Sequence, residues 1–170
     1  LAAIEPYKFD VLIYDGADTT VQDAMVAFVK RLAAEEGAYT QLVAAGLTNP
    51  DDRFVVNIMS GVVLSDGTAL TPQQVTWWAG GAKLTNSGYI DALTAGQFVL
   101  FADDGVVKVE QDINSLVTYT TDITGPYHKN RVIRLLNTVA NDIYQQFSDG
   151  YIGVVNNNEQ GRMMFKSAIV

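Results

Sequence analysis

The first 45 residues contain the pattern that most limits the fold, because a short apolar strand, an amphipathic helix and a second apolar strand follow one another closely. Residues 9–14 (FDVLIY) predict the first strand, and Asp15-Gly16 marks the turn that ends it. The second strand is predicted at residues 41–45. A helix of this length between two strands favours a right-handed βαβ unit, in which the two strands pair in parallel.

The predicted helix carries its own start and stop signals. Thr19 is a candidate N-cap, with Gln22 as the partner residue of a capping box, and Gly37 is a candidate terminator. Apolar residues recur at helical spacing and predict the buried face, which consists of Val21, Met25, Phe28, Val29 and Leu32.

The middle of the chain predicts further strands and short helices. Residues 54–59 predict a third strand, and a hairpin follows with Asp66-Gly67 as its turn. Thr71 is predicted to cap a helix whose first position is Pro72. Ser87 is predicted to cap a shorter helix.

A second hairpin is predicted at residues 97–110, with Asp104-Gly105 as a two-residue turn. This turn places Leu100 opposite Val109 and Ala102 opposite Val107. One face of the hairpin is then apolar. The other face is mixed, and its predicted members are Val99, Phe101, Val106, Lys108 and Glu110.

Two amphipathic helices are predicted in the last third of the chain. Pro126 is the predicted first residue of a helix over about 127–148, and a last helix starts near Asn156 with Met163 and Met164 on a buried face. The apolar positions of the longer helix are Val132, Leu135, Leu136, Val139, Ile143 and Phe147. All these elements together predict an α/β fold in which a central mixed sheet, with a βαβ unit and a β-hairpin, is packed by several helices in a single domain, residues 1–170.

Charge and residue usage exclude several classes of function. The net charge of −8 makes the chain a poor binder of nucleic-acid phosphates or anionic membranes. Without cysteine it has no disulfide, thiolate nucleophile or Cys-ligated zinc, and a single histidine rules out a multi-histidine metal site. That histidine, His128, lies at a predicted helix start beside cations, and no serine lies in a nucleophile-elbow motif.

A polar segment after the second hairpin is the main candidate site. Glu110, Gln111, Asp112 and Asn114 follow the strand that ends at Val109. Carboxylates and amides at a strand end are compatible with a catalytic or metal site, with a structural turn, or with a contact to another subunit. Asp103 and Asp104 lie at the other end of the hairpin, about 17 Å away, which is too far to share a metal or form a carboxylate pair.

The predicted long helix carries a cationic stripe of Lys129, Arg131 and Arg134, largely opposite its apolar positions. These side chains form either a solvated face or a contact with an acidic neighbouring subunit.

Longer motifs resemble a known family. VEQDINSL (109–116), HKNRVIRLLNTVANDIYQQF (128–147) and NNEQGRMMFKSAI (157–169) are similar to collinear motifs of contractile phage tail sheath proteins, as are IEPYKFDVLIY, AFVKRLAAEEG and LTPQQVTWWAGGA. The match is closest to the sheaths of defective prophages in Gram-positive bacteria, and it covers nearly the whole chain.

The resemblance implies a structural subunit of a helical sheath that surrounds a tail tube and contracts to drive it through a target envelope. The implied partners are other sheath subunits, joined through terminal arms that add strands to a neighbour's sheet, together with tube, baseplate and terminator proteins. The implied location is a phage tail or tail-like particle, formed from subunits in the bacterial cytoplasm. No nucleic acid, membrane, catalytic residue, metal or cofactor is expected.

Three departures from the family pattern indicate a core fragment. The family motifs usually continue beyond both ends, and an additional loop usually separates the segments that here meet near Ala82 and Lys83. Without the arms, the fragment is expected to be mainly monomeric. The candidate structural or contact residues are Glu110, Gln111, Asp112, Asn114, Lys129, Arg131 and Arg134, and the alternative is an α/β enzyme or metal-binding domain that uses Glu110 and Asp112.

Overall fold

The βαβ unit predicted from the sequence is present in the structure, a computed structural model that describes residues 1–5, 7–59, 84–103 and 106–169. Its two strands pair in parallel and begin a four-stranded sheet whose strand order follows the chain. The sheet and its crossover helix consist of β1 (Val11–Tyr14), α1 (Thr19–Arg31), β2 (Gln41–Ala45), β3 (Val55–Ile58) and β4 (Gln97–Phe98). The predicted α/β fold is therefore confirmed.

The main core lies between this sheet and α1. Leu12, Leu42 and Val55 are neighbours in the parallel register, so their side chains share one face of the sheet. The predicted apolar face of α1 meets them, and the buried cluster contains Phe28, Val29, Leu32, Leu42, Ala44, Leu47 and Val55. Burial of this apolar surface is the dominant stabilising contribution to the fold.

The predicted capping box of α1 is wrong. Asp18, rather than Thr19, is the N-cap, and its carboxylate accepts hydrogen bonds from two backbone N–H groups of the first turn. The Gln22 side chain is buried and donates to the carbonyl oxygens of Gly16 and Ala45, so it ties the helix to the ends of β1 and β2. An acidic N-cap also interacts favourably with the positive end of the helix dipole.

A glycine ends the first helix as predicted, whereas the cap of the second helix differs from the prediction. A π-helical turn, Leu32–Glu36, extends α1 and ends at Gly37, with φ +64°, as predicted. The second helix, α2 (Asn86–Thr94), is capped by Thr85 Oγ1, which accepts from the Gly88 N–H at 3.2 Å. The predicted cap at Ser87 is therefore wrong by two residues.

The second hairpin has the predicted register. Strands β5 (Leu100–Asp103) and β6 (Val106–Val109) are antiparallel, with Leu100 opposite Val109. The predicted turn at residues 104–105 lies outside the described residues. The hairpin pattern predicts Val99 on the mixed face, but Val99 is fully buried. It lies where the chain passes from β4 of the parallel sheet to β5 of the hairpin.

The predicted long helix begins later than Pro126. A 3₁₀ turn, Gly125–His128, contains that proline, and α3 (Asn130–Gly150) follows it. Lys129 separates the two with an extended backbone, φ −89° and ψ 123°. Because Lys129 forms an antiparallel bridge with Ile113, its backbone is held out of the helical conformation.

The contacts divide the chain into two compact units, Leu1–Ile133 and Arg134–Val170. The second unit contains most of α3, and then α4 (Glu159–Ile169), which begins three residues after the predicted start near Asn156 and is capped by Asn158. The rings of Phe147, Tyr151 and Phe165 pack together there, and the Phe165 centroid lies 5.0 and 4.8 Å from the other two. The prediction of one domain over residues 1–170 stays a prediction.

The second unit exposes much of its apolar surface. Met163 and Met164 are 66% and 54% exposed, so their predicted burial on a helix face is wrong. Leu135 and Val139, from the apolar positions of α3, are also exposed. In the part of the chain that the structure describes, no helix combines the length and apolar character needed to cross a membrane.

Three further predictions fall on residues 60–83, outside the described part of the chain. They are the hairpin with its turn at residues 66–67, the helix capped by Thr71, and the missing loop near Ala82 and Lys83.

Candidate functional site

Residues 110–118, called the strap here, leave β6 and join the parallel sheet to the start of α3. The Glu110 N–H donates to the Val99 carbonyl at 3.0 Å, and the Ser115 N–H donates to the Val55 carbonyl at 2.8 Å. Between these points Ile113 forms its bridge with Lys129. Residues 113–116 are buried, so the middle of the strap is part of the core.

Asn114 holds the strap to the 3₁₀ turn. Its side chain is fully buried and its Nδ2 donates to the Tyr127 carbonyl at 2.8 Å, while its Oδ1 accepts from the Leu116 N–H at 3.1 Å. Its backbone N–H donates to the His128 carbonyl at 3.0 Å. These bonds satisfy backbone groups that would otherwise be buried without partners, which is costly.

Asn130 joins the strap to the sheet and opens α3. Its Nδ2 donates to Asp112 Oδ1 and to the Ile113 carbonyl, both at 2.8 Å. Its Oδ1 accepts from Gln41 Nε2 at 2.8 Å, and Gln41 is the first residue of β2. Asn130 is 0% exposed and Gln41 is 2% exposed, so the two amides are buried and hydrogen-bonded, and Asp112 forms the exposed end of the network.

The loop after β2 supports the other end of the strap. Asp51 Oδ1 accepts from the backbone N–H groups of Val117 and Thr118, at 2.7 and 3.0 Å. Burial raises the pKa of Asp51, but the hydrogen bonds from Thr118 and Val117 outweigh that effect and hold the pKa below its usual value. The ionised carboxylate is thus the form that fits this contact.

Ser115 and Asp52 form a second contact between the same loop and the strap. Ser115 Oγ donates to the Asp52 carbonyl at 3.0 Å and accepts from the Asp52 N–H at 3.1 Å. Burial raises the pKa of the Asp52 side chain, and the Phe54 N–H and the nearby Lys30 ammonium offset only part of this effect.

His128 acts on the strap through its backbone and its ring. Its Nδ1 lies 2.6 Å from the Leu116 carbonyl oxygen, and its ring meets Tyr119 edge to face. Burial lowers the pKa of His128, the hydrogen bond to Leu116 raises it, and the charge of Lys129 lowers it further, with a net decrease. The neutral ring donates through Nδ1, because a carbonyl oxygen can only accept.

The sequence-predicted site residues separate into exposed and buried groups. Asn114 is buried, so its side chain is enclosed within this unit. The other six predicted residues are exposed, namely Glu110, Gln111, Asp112, Lys129, Arg131 and Arg134. Within this set the structure brings together Lys129 Nζ and Gln111 Oε1, at 2.9 Å.

The residues that hold the strap but were not among the predicted site residues include Gln41, Asp51, Ser115 and Asn130. Gln41 carried a signal, because an amide at the start of an otherwise apolar strand of a parallel sheet needs a buried partner. Its partner lies 89 residues away in sequence, however, and no local pattern connects them.

The geometry gives these groups structural rather than chemical tasks. Asp112 orients the Asn130 amide, and Asn114 binds backbone groups. Over residues 1–5, 7–59, 84–103 and 106–169, no cluster of three or more His, Asp or Glu side chains could hold a metal ion.

Residues 1–83 match the family model of the phage tail sheath protein central domain, and residues 122–170 match that of the phage tail sheath C-terminal domain. The chain belongs to the phage tail sheath family. The two matches occur in chain order and lie on either side of α2, β4, β5, β6 and the whole strap. Because this is a family of structural proteins, the sheath chain is structural rather than enzymatic.

Individual relatives agree with this assignment. The chain is 32% identical to the phage-like element PBSX protein XkdK of Bacillus subtilis, over 86% of the chain and 37% of that protein. It is 19% identical to the tail sheath protein of Clostridium phage phiCD119, over 99% of the chain and 53% of that protein. The chain thus spans between about a third and a half of the length of these relatives.

Solved sheath structures share the fold. The sheath tail protein of Desulfitobacterium hafniense is 32% identical and superposes with a TM-score of 0.80, over 98% of this chain and 45% of that one. The sheath tail protein Lin1278 of Listeria innocua is 26% identical, with a TM-score of 0.79, over 99% of this chain and 46% of that one.

Proposed function

We propose that this chain is the core of a subunit that polymerises around the tail tube of a phage, prophage or tail-like particle, and that contraction of the polymer drives the tube through a target envelope. The observation that carries the proposal is the fold, which superposes over 98% of the chain on a sheath tail protein with a TM-score of 0.80. Contraction would use energy stored in the extended assembly, since the chain is not an enzyme.

The strap suits a subunit that must move as a unit within a lattice. It connects the parallel sheet, the loop after β2 and the start of α3 through hydrogen bonds from the buried residues Asn114, Ser115 and Asn130. Fully bonded buried polar networks of this kind make a core rigid. On this view residues 1–170 act together as one sheath core domain.

Exposed charges near the strap are the proposed contact with a neighbouring subunit. Glu110 and Asp112 lie on the strap, and Lys129, Arg131 and Arg134 lie at or near the start of α3. Opposite charges on neighbouring surfaces would favour one register of association and disfavour others. Gln111, which accepts from Lys129, belongs to the same surface.

The proposed partners are other copies of the sheath subunit, joined through terminal arms, together with tail tube, baseplate and tail terminator proteins. Such head-to-tail contacts build open helical tubes. The proposed location is the tail of the particle, after synthesis of the subunit in the bacterial cytoplasm.

Electron microscopy of the full-length protein that contains this chain tests the proposal. We expect hollow tubes or stacked rings. When tube protein is present, we expect sheaths of two lengths, extended and contracted. A full-length protein that stays monomeric at high concentration would contradict polymerisation. The isolated 170-residue chain, without its arms, is expected to sediment mainly as a monomer, and a stable ring would contradict the role given to the arms.

The alternative, an α/β enzyme or metal-binding domain that uses Glu110 and Asp112, is not favoured. Asp112 is already engaged with Asn130 at 2.8 Å, and the family is structural.

A further inference from the structure

The network of Gln41, Asn130 and Asp112 lies where two features of the chain coincide. It closes the strap onto β2, and it is at the first residue of α3. Only three residues after Asn130, at Ile133, the first compact unit ends, and the helix continues into the second. Ile133 is itself 1% exposed.

The Asn130 side-chain amide uses both of its donor protons and its oxygen acceptor in hydrogen bonds. Both Nδ2 protons are donated, one to a carboxylate and one to a carbonyl, and Oδ1 accepts from Gln41. The backbone N–H of Asn130 also donates to the Asp112 carbonyl, at 3.3 Å. The first turn of α3 is therefore held to the strap and to β2 by hydrogen bonds as well as by packing.

We propose that Gln41, Asn130 and Asp112 form a pin, a rigid joint that fixes the first turn of α3 to strand β2. The pin makes the first turn of α3, residues 130–133, move with the sheet when the subunit is under load. Asn130 is thus a positioning residue, because it acts by holding the first turn of α3 to the strap. The mechanical consequence rests on the proposed sheath function, whereas the rigidity of the joint does not.

The test uses Asn130→Asp in the full-length protein. This change keeps the size of the side chain but replaces the Nδ2 donor with a second acceptor, which would face Asp112 Oδ1 and the Ile113 carbonyl. Asp112→Asn in the same protein restores a donor at that contact. The control is Asn157→Asp, the same chemical change at an exposed residue.

Hydrogen exchange measured by mass spectrometry reports on the joint. In Asn130→Asp we expect amide exchange about tenfold faster or more in residues 111–116 and 130–133, the scale of losing buried hydrogen-bond partners. Peptides from α1 and β2 are expected to change much less. The double variant should recover part of the protection, and Asn157→Asp should match the parent protein.

Uniformly faster exchange along the whole chain, or no recovery in the double variant, would overturn the pin. If Asn130→Asp does not fold, Gln41→Met provides the same test, because it removes one donor from the network and keeps the length of the side chain. It is expected to accelerate exchange in residues 130–133 severalfold, and unchanged exchange there would equally overturn the pin.

Microscopy separates this inference from the proposed function. If the parent protein forms tubes, Asn130→Asp is expected to form few or irregular tubes and the double variant to restore them. Regular tubes from Asn130→Asp would overturn the mechanical role of the pin. If the parent forms no tubes, the proposed function fails, while the exchange result still decides whether the joint is rigid.

Discussion

Gly96 lies against the backbone of Ser115, so closely that a Cβ atom on Gly96 would be 2.7 Å from the Ser115 carbonyl oxygen and 3.0 Å from its Cα. Gly96 also has φ +70°, a left-handed backbone conformation that is unfavourable for residues with a side chain. The residue that ends α2 therefore sets how closely the strap can approach the sheet. This one contact relates a local feature, the helix terminus, to the position of the buried strap.

Gly96→Ala is expected to lower the free energy of unfolding by about 2–5 kcal/mol, from the left-handed backbone and the overpacked contact together. Gly37→Ala is the matched control, because Gly37 also ends a helix with positive φ but has nothing within 4 Å of the added atom. It should cost only about 1–2 kcal/mol. Urea unfolding measures both, and equal losses would show that the Ser115 contact is unimportant.

Asn114→Ala is expected to destabilise the chain by about 2 kcal/mol or more, because it leaves the Tyr127 carbonyl and the Leu116 N–H buried without their partner. Asn157→Ala, at an exposed position, should change stability by less than about 0.5 kcal/mol. Chemical denaturation of both variants provides the comparison. A loss at Asn114 no larger than the loss at Asn157 would mean that the strap is held by packing alone.

Asp18→Ala is expected to cost about 1 kcal/mol, the usual effect of removing an N-cap, since two backbone N–H groups lose their acceptor. Thr19→Ala should be nearly neutral, because Thr19 is the first residue inside the helix and is exposed. Thermal unfolding of the two variants distinguishes the observed cap from the one suggested by the sequence. The reverse order of the two losses would favour Thr19 as the cap.

These helix caps illustrate what the sequence could and could not predict. Strand β2 and the pairing of Leu100 with Val109 follow from patterns within a few residues, and both were predicted correctly. The predicted caps were wrong because Asp18 and Thr85 are close to other residues that cap helices well. Which residue becomes the N-cap then depends on the path of the preceding segment.

The candidate site was harder to predict for a different reason. The VEQDINSL motif pointed to the right segment, but the partners of its buried residues come from β3, from the loop after β2 and from the turn before α3. Contacts between residues tens of positions apart leave no periodic pattern in the chain. Likewise, the burial of Val99 depends on two sheets meeting at that residue, which no single hairpin pattern shows.

Stability is expected to depend on pH through His128, the single histidine in the chain. Burial, the largest influence, lowers its pKa in the folded state, so the unfolded chain binds a proton more readily. The stability contributed by the neutral ring is therefore fully present above the unfolded pKa of about 6.5, and is lost as the pH falls from there through the folded pKa. We expect the urea midpoint to decrease between pH 8 and pH 5.5.

His128→Gln removes the titrating group, so its urea midpoint should change less over the same pH range, even if the variant is less stable at pH 8 because the contact with Tyr119 is lost. The test compares the slopes of the urea midpoint against pH in the two proteins, so a constant loss of stability in the variant does not affect it. Asp52, whose pKa is raised by burial, acts with the opposite sign on acidification, but it is present in both proteins, so the difference between their slopes reports on His128. A parent protein whose midpoint rises on acidification, or a variant with the same slope, would show that burial of His128 does not control this part of the pH profile.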